Sequence, residues 1–338
     1  MRALVYTGPK RIVLQEAPDP VASGEDVLIE VGAVGICGSD MHAYLGHDDR
    51  RPAPLILGHE AAGVVRGGTH DGKRVVVNPL VTCGTCRDCT SGRENLCANR
   101  EIISMPPRQG AFAEKIVIPA RNIVEVPDDL DMTHAALAEP LATSWHGVTL
   151  AERHSAVPIG NARSLVMGAG AIGLGAALAL RAFGCADVTV AETNELRRRT
   201  ATVQGFKNVV DPAQGDALDA GFADVVIDAV GNKHTRAAAV RAARPGSVIV
   251  HIGLGDGVDG FDARRVTLQE ITFVGAYTYT MNDFKETLAA MASGALGNLD
   301  WIEARALEDG IQAFDDLLEG RTGAAKIILH PAGNRSGA

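Results

Sequence analysis

Between an apolar run at 164–167 and a helical pattern at 172–183 the chain reads GAGAIG. Glycines at 168, 170 and 173 match G-x-G-x-x-G in the setting that gives the pattern meaning, with a strand before it and a helix after. Gly168 makes the tight turn, Gly170 lets a pyrophosphate approach the backbone, and Gly173 permits close helix–strand packing. Ile172 falls inside the turn, where the phosphates meet the helix N-terminus. Apolar β-type runs at 188–191, 209–210, 225–228, 247–252 and 271–274 then alternate with helical patterns at 195–204 and 233–243. That alternation implies an α/β fold whose parallel sheet is covered on both faces by helices. Glu192 ends the second run, about twenty residues past the turn. A carboxylate there accepts hydrogen bonds from the adenosine ribose hydroxyls and repels a 2′-phosphate, so NAD is expected over NADP. Arg197 to Arg199 pull the other way: they can serve a phosphate or form a solvated helix face, and Arg197 is the cofactor candidate among them.

The first third has a different texture. Short alternating runs at 2–6, 12–15, 26–34, 74–77, 112–119 and 123–126 are broken by glycine and proline, which suits a small antiparallel barrel. From 133 a helical pattern begins, is interrupted at Pro140, and resumes to about 152. Helices at 283–291 and 310–318 and a strand at 326–329 are expected to fold back onto the first domain, and 331–338 to form a frayed tail. At 338 residues the chain is too long for one small core and right for two domains. Its net charge of −9 argues against a nucleic-acid partner, which needs a basic face. Residues 1–30 hold no basic-then-apolar leader pattern, and no apolar run reaches membrane-spanning length. A cytoplasmic protein with no membrane partner is expected.

Four of the six cysteines, Cys83, Cys86, Cys89 and Cys97, are spaced C-x2-C-x2-C-x7-C. Four thiolates so close in sequence can wrap one ion tetrahedrally, and a closed four-sulfur site is structural because no coordination position is left for chemistry. An iron–sulfur cluster is the rival occupant. Cys185 stands alone and is expected as a small buried side chain. A second ligand set lies between GICGSDMH at 35–42 and GHEAAG at 58–63: Cys37, His59 and Glu60, with a hydroxyl at Ser39 and an imidazole at His42. A Cys/His/carboxylate set suits a zinc ion that keeps one position open. The plainer alternative is a thiol and a histidine in a turn-rich surface region.

Together these motifs, with the acid–proline pair Glu139-Pro140, resemble the zinc-dependent medium-chain dehydrogenases over nearly the whole chain. AEPLATSWHGV at 138–148 is more similar to the sorbitol, idonate and other polyol dehydrogenases than to the ethanol enzymes, which typically have a cysteine there. The resemblance implies a GroES-like barrel domain, 1–143 with 277–338, carrying a structural zinc lobe at about 80–100, and a Rossmann domain at 144–276. It implies that Cys37, His59 and Glu60 bind a catalytic zinc, with Glu139 beside it as an exchanging ligand or holding the bound water. Zinc would make the substrate hydroxyl acidic enough for its carbon to deliver a hydride to the nicotinamide. Ser39 resembles the hydroxyl that takes the substrate proton, and His42 the histidine that passes it to solvent through the cofactor ribose. Thr278-Tyr279 replaces the Arg-Tyr pair frequent in polyol dehydrogenases, which removes a hydrogen-bond fork and puts sorbitol itself in doubt. Tyr44, Phe112 and Tyr279 are expected pocket walls, and the polar run 47–51 a solvated loop or a rim of the entrance. The expected activity is NAD-dependent oxidation of a secondary hydroxyl of a polyol or sugar-derived alcohol by a homodimer or homotetramer. The alternatives are a primary or threonine-like amino alcohol as substrate, or a nucleotide-binding protein with a zinc lobe and no turnover.

Overall fold

The computed structural model describes residues 1–214, 218–255 and 257–331; the tail expected at the chain end lies, from 332 on, outside them. Six parallel strands form one sheet in the spatial order Asn208–Val210, Asp187–Ala191, Arg163–Met167, Ala223–Asp228, Ala243–His251 and Thr272–Gly275. Chain order therefore reverses beside Arg163–Met167, the strand that feeds GAGAIG. The crevice at such a reversal is where doubly wound sheets bind ligands. Helices Ala171–Ala182, Glu195–Val203, Lys233–Ala242 and Ala263–Leu268 connect these strands.

Backbone geometry at the turn follows from its glycines. Gly168 has φ +93°, a left-handed value that costs a residue with a Cβ. A Cβ on Gly173 would lie 1.9 Å from the Gly168 carbonyl oxygen, so helix Ala171–Ala182 can leave the strand at this angle only with glycine there. The space before Gly170 is open, with Arg197 Nη1 4.0 Å from where a Cβ would stand.

A seven-stranded sheet makes the other half of the molecule. Its path runs Ile123–Glu125, Arg74–Val77, Glu60–Arg66, Asp26–Gly35, Lys326–His330 and Ile302–Ala306, with Lys115–Pro119 also pairing to Asp26–Gly35. The hairpin Arg2–Gly8 and Arg11–Glu16, with Leu55–Ile56, forms a separate three-stranded sheet. The last strand pairs antiparallel with the end of Asp26–Gly35, Ile328 opposite Gly35. That pairing carries Lys326 to the segment just before Cys37. Among the described residues no helix is long and apolar enough to cross a membrane.

One expectation needs correction. The helix beginning at Met132 ends at Ala135, and a new one runs Ala138–His154 straight through Pro140. Proline in a first helical turn forgoes an N–H that has no partner there anyway, so the break falls earlier, at residues 136–137. Short pieces with little periodicity, among them helix Gly38–Tyr44 and strand Ile302–Ala306, left no readable pattern.

The two glycines of the turn separate packing from ligand approach. Gly173→Ala should lose about 3 kcal/mol or more of stability, since backbone must move to admit its Cβ. Gly170→Ala should stay within about 1 kcal/mol of the parent. Denaturant unfolding of both variants checks this; equal midpoints would contradict the close approach at Gly173.

Candidate active site

Cys37 is the N-cap of helix Gly38–Tyr44, and Asp40 in its first turn ties the local structure together. Asp40 is fully buried; one carboxylate oxygen accepts from Cys37 N (3.0 Å) and the other from Gly58 N (3.1 Å). The second oxygen also faces His59 Nδ1 at 3.6 Å. One acid thus holds both ends of the 35–63 stretch. Burial, the largest influence, pushes its pKa up, but His59, Arg51 and the Cys37 N–H outweigh it and hold the group below the usual carboxylate range. At 3.6 Å from Asp40, His59 Nδ1 makes no hydrogen bond; a proton on it would face Asp40 and leave Nε2 for a ligand. Burial opposes protonation of His59, yet Asp40 and Cys37 carry its pKa well above the ordinary value.

Glu60, next in sequence, is buried completely. Its Oε1 meets Lys326 Nζ at 2.5 Å, and the same ammonium donates to Ile36 O at 2.9 Å. Burial acts to lower the Lys326 pKa, but Glu60 and Cys37 more than offset it, and the net shift is upward. Glu60 Oε2 has no hydrogen-bond partner and lies 2.0 Å from where a Cβ on Gly35 would be. Only glycine at 35 leaves room for that oxygen.

One ligand atom from each of Cys37, His59 and Glu60 lies within 4.8 Å of the others. A buried carboxylate oxygen with no donor is costly, and a cation coordinated by it removes that cost. Thiolate, imidazole and carboxylate together fit zinc in a site that keeps one position open. Glu139 stands outside this set of three. It is buried, and Tyr279 donates to its Oε1 at 3.0 Å. Burial chiefly, with Glu60 adding, raises its pKa to about 7.

Ser39 and His42 sit three residues apart on Gly38–Tyr44, hence on one face of that helix, and both are half-buried. The other expected pocket residues lie elsewhere. Tyr44 and Phe112 are interior rings of the barrel, both packed on Phe314, with Tyr44 Oη donating to Asp315 (3.1 Å) and Phe112 lying behind Gly58. Such large apolar rings gain more from burial than from lining a wet cleft. Tyr279 is fully buried under Glu139 and stacked on Phe284 (5.4 Å), a support and not a wall.

The four lobe cysteines form a second cluster with ligand atoms within 4.8 Å of one another. Sγ–Sγ separations of 3.5 Å (Cys86–Cys89 and Cys83–Cys97) and 3.9 Å (Cys83–Cys89) are close to the about 3.8 Å that tetrahedral zinc thiolates require. Backbone N–H groups of Thr85 and Cys86 lower the Cys83 pKa to about 6, while burial and the neighbouring thiols raise Cys89 to about 12. A metal that needs thiolates therefore binds more tightly as pH rises. The lobe also holds the segment carrying Tyr279: Asn95 Nδ2 donates to Tyr277 O (2.8 Å), and Glu94 accepts from Met281 N (2.5 Å). Cys185 is buried, as expected.

At the glycine turn, Glu192 is nearly buried; Oε2 accepts from Ala169 N (2.7 Å) and Oε1 from Asn194 N (2.8 Å). Ala169 lies in the turn, Gly170 caps the helix and Ile172 is in its first turn. Arg197 Nε is buried without a hydrogen-bond partner while its guanidinium lies beside Gly170. Arg198 is committed to Glu192 O, Thr193 O and Asp211, and Arg199 pairs with Glu195 on the surface.

Three contributors have weak or no sequence signals. Asp40 is legible only as an acid three residues past Cys37. Lys326 is 266 residues from Glu60 and carries no motif. Arg51, read as part of a solvated run, is only 3% exposed.

Comparison with known proteins gives the same outline. Residues 23–128 match the family described as the alcohol dehydrogenase GroES-like domain, and residues 171–293 the family described as zinc-binding dehydrogenase. The chain is 35% identical over 309 residues to L-galactonate-5-dehydrogenase of Escherichia coli (strain K12), covering 88% of each. It is 30% identical over 350 residues to sorbitol dehydrogenase of Bacillus subtilis (strain 168), covering 98% of this chain and 97% of the relative. A solved zinc-binding dehydrogenase of Sinorhizobium meliloti 1021, bound to NADP, superposes with TM-score 0.87 at 29% identity over 98% of this chain and 99% of that one. With its barrel, its doubly wound sheet and its two ligand clusters, the chain belongs to the zinc-dependent medium-chain dehydrogenases.

Proposed function

We propose that this dehydrogenase oxidises a secondary hydroxyl of a polyol or sugar-derived alcohol to a ketone with NAD. The observation that carries the reading is the cluster of half-buried Cys37 with buried His59 and Glu60, and its unpartnered Glu60 oxygen. These three residues would hold the catalytic zinc, Cys83, Cys86, Cys89 and Cys97 the structural one, and the catalytic unit would comprise 1–143 with 277–338. When bound, zinc lowers the pKa of the substrate hydroxyl and the nicotinamide takes up the hydride.

The chain's own residues then have separable tasks. Asp40 orients the His59 ring, and Lys326 keeps Glu60 in place as a paired carboxylate. Ser39 receives the proton of the alcohol, and His42 on the same helix face passes it toward solvent. Glu139, held by Tyr279 and close enough to His59 and Glu60 to feel their charge, would serve beside the metal as an exchanging ligand or as the holder of its water. Gly168, Gly170, Ile172 and Gly173 admit the pyrophosphate, and Arg197, beside Gly170, would serve the same phosphates. Glu192 supports NAD over NADP because its carboxylate repels a 2′-phosphate. Substrates of the curated relatives, L-galactonate and sorbitol by their names, support the polyol class.

Initial rates of reduced-nicotinamide formation on sorbitol, L-galactonate, pentitols, simple secondary alcohols and threonine test the reading, each with NAD and NADP, before and after chelation. Chelator-sensitive turnover of one polyol or sugar acid with NAD is the expected result. No turnover on any of them, in protein that retains zinc in both clusters, would overturn it. Lys326→Met should cost about 3 kcal/mol by leaving Glu60 buried and unpaired, read by denaturant unfolding of the protein after chelation. Unchanged stability would contradict the pairing.

A further inference from the structure

Arg51, in a run expected to be solvated, is buried by the fold, and its guanidinium is fixed from several sides. Its Nε donates to Ser104 O (3.0 Å), and Nη1 donates to Ser39 O (3.2 Å) and Asp48 Oδ2 (2.7 Å). Nη2 donates to Ser39 Oγ at 3.3 Å. Ser104, the carbonyl that meets Nε, is a non-glycine residue at φ +66°, a conformation that costs energy and persists only when its surroundings impose it. A buried cation is costly to desolvate, and here Asp48 and the Ser104 and Ser39 carbonyls offset that cost.

The contact with Ser39 Oγ gives this arrangement a purpose. A hydroxyl has one hydrogen and two acceptor lone pairs, whereas a guanidinium can only donate. With one lone pair of Oγ taken by Arg51, the Ser39 hydrogen must point away from it. The remaining lone pair is left to accept a proton from the substrate. We propose that Arg51 is a positioning residue that fixes the direction of proton transfer through Ser39. A proton enters Oγ from the alcohol as Ser39's own hydrogen leaves toward the cofactor ribose and His42, so Ser39 ends unchanged. The hydride goes to the nicotinamide as before. This rests on the role of Ser39 in the proposed function. Lysine cannot replace the arginine: a single ammonium on a flexible stem cannot hold Ser104 O, Asp48 and both oxygens of Ser39 together.

A double-mutant cycle tests this on zinc-loaded enzyme, with the faster of sorbitol and L-galactonate as substrate. Arg51→Met and Arg51→Lys should each lower kcat about 10- to 100-fold. The NADH dissociation constant by fluorescence titration and the bound zinc of Arg51→Lys should stay close to the parent's. In a Ser39→Ala background, Arg51→Met should change kcat less than about twofold, because the group it positions is gone. A Ser39→Ala enzyme that is slow, yet loses a further full increment on Arg51→Met, would overturn the positioning role alone. Loss of zinc or NADH affinity in Arg51→Lys in proportion to kcat would also overturn it, making Arg51 a brace. Full turnover by Ser39→Ala would overturn the Ser39 role and this proposal with it.

Discussion

Inside the protein the Lys326 ammonium and the Glu60 carboxylate meet at 2.5 Å, and the geometry of the site depends on that pair. Two charges removed from water repay their desolvation only when further hydrogen bonds complete them. The Ile36 carbonyl supplies one such bond to Lys326. The strand Lys326–His330 can bring that ammonium inward because it closes the barrel against the end of Asp26–Gly35. The pair thus joins barrel closure to the placement of the segment before Cys37. It leaves the second Glu60 oxygen unpartnered, over a glycine that makes room for it.

Around this pair the surrounding residues each remove a degree of freedom. Asp40 binds backbone N–H groups at both Cys37 and Gly58, so the two halves of the ligand set cannot drift apart without breaking a buried hydrogen bond. Tyr279 restrains Glu139, and the cysteine lobe in turn holds the chain on either side of Tyr279 through Asn95 and Glu94. The lobe therefore reaches the catalytic region through the Asn95 and Glu94 side chains, while its thiols face one another and the lobe's own backbone.

The sequence was most readable where local chemistry decides the structure. GAGAIG, the four-cysteine spacing and the alternating runs each report a requirement satisfied within a few residues, and the parallel sheet follows the expected strands closely. Pro140 misled because proline breaks a helix interior but is tolerated in a first turn, and sequence alone did not locate that turn. Tyr44, Phe112 and Tyr279 are expected from the sequence as pocket walls, yet burial on Phe314 or under Glu139 is decided by residues far away in the chain. Lys326 and Arg51 were the least legible. A cation is ordinarily a solvated side chain, and only the closed fold supplies the carbonyls and carboxylates that make burial tolerable.

The account turns on Cys37, His59 and Glu60 forming the metal set at which turnover occurs. Metal content and turnover of Cys37→Ser, measured together on the same preparation, test it most directly. The account predicts that the variant keeps the lobe zinc, loses the other, and gives no NADH from a substrate the parent oxidises. A Cys37→Ser enzyme with full zinc in both clusters and full turnover would contradict it.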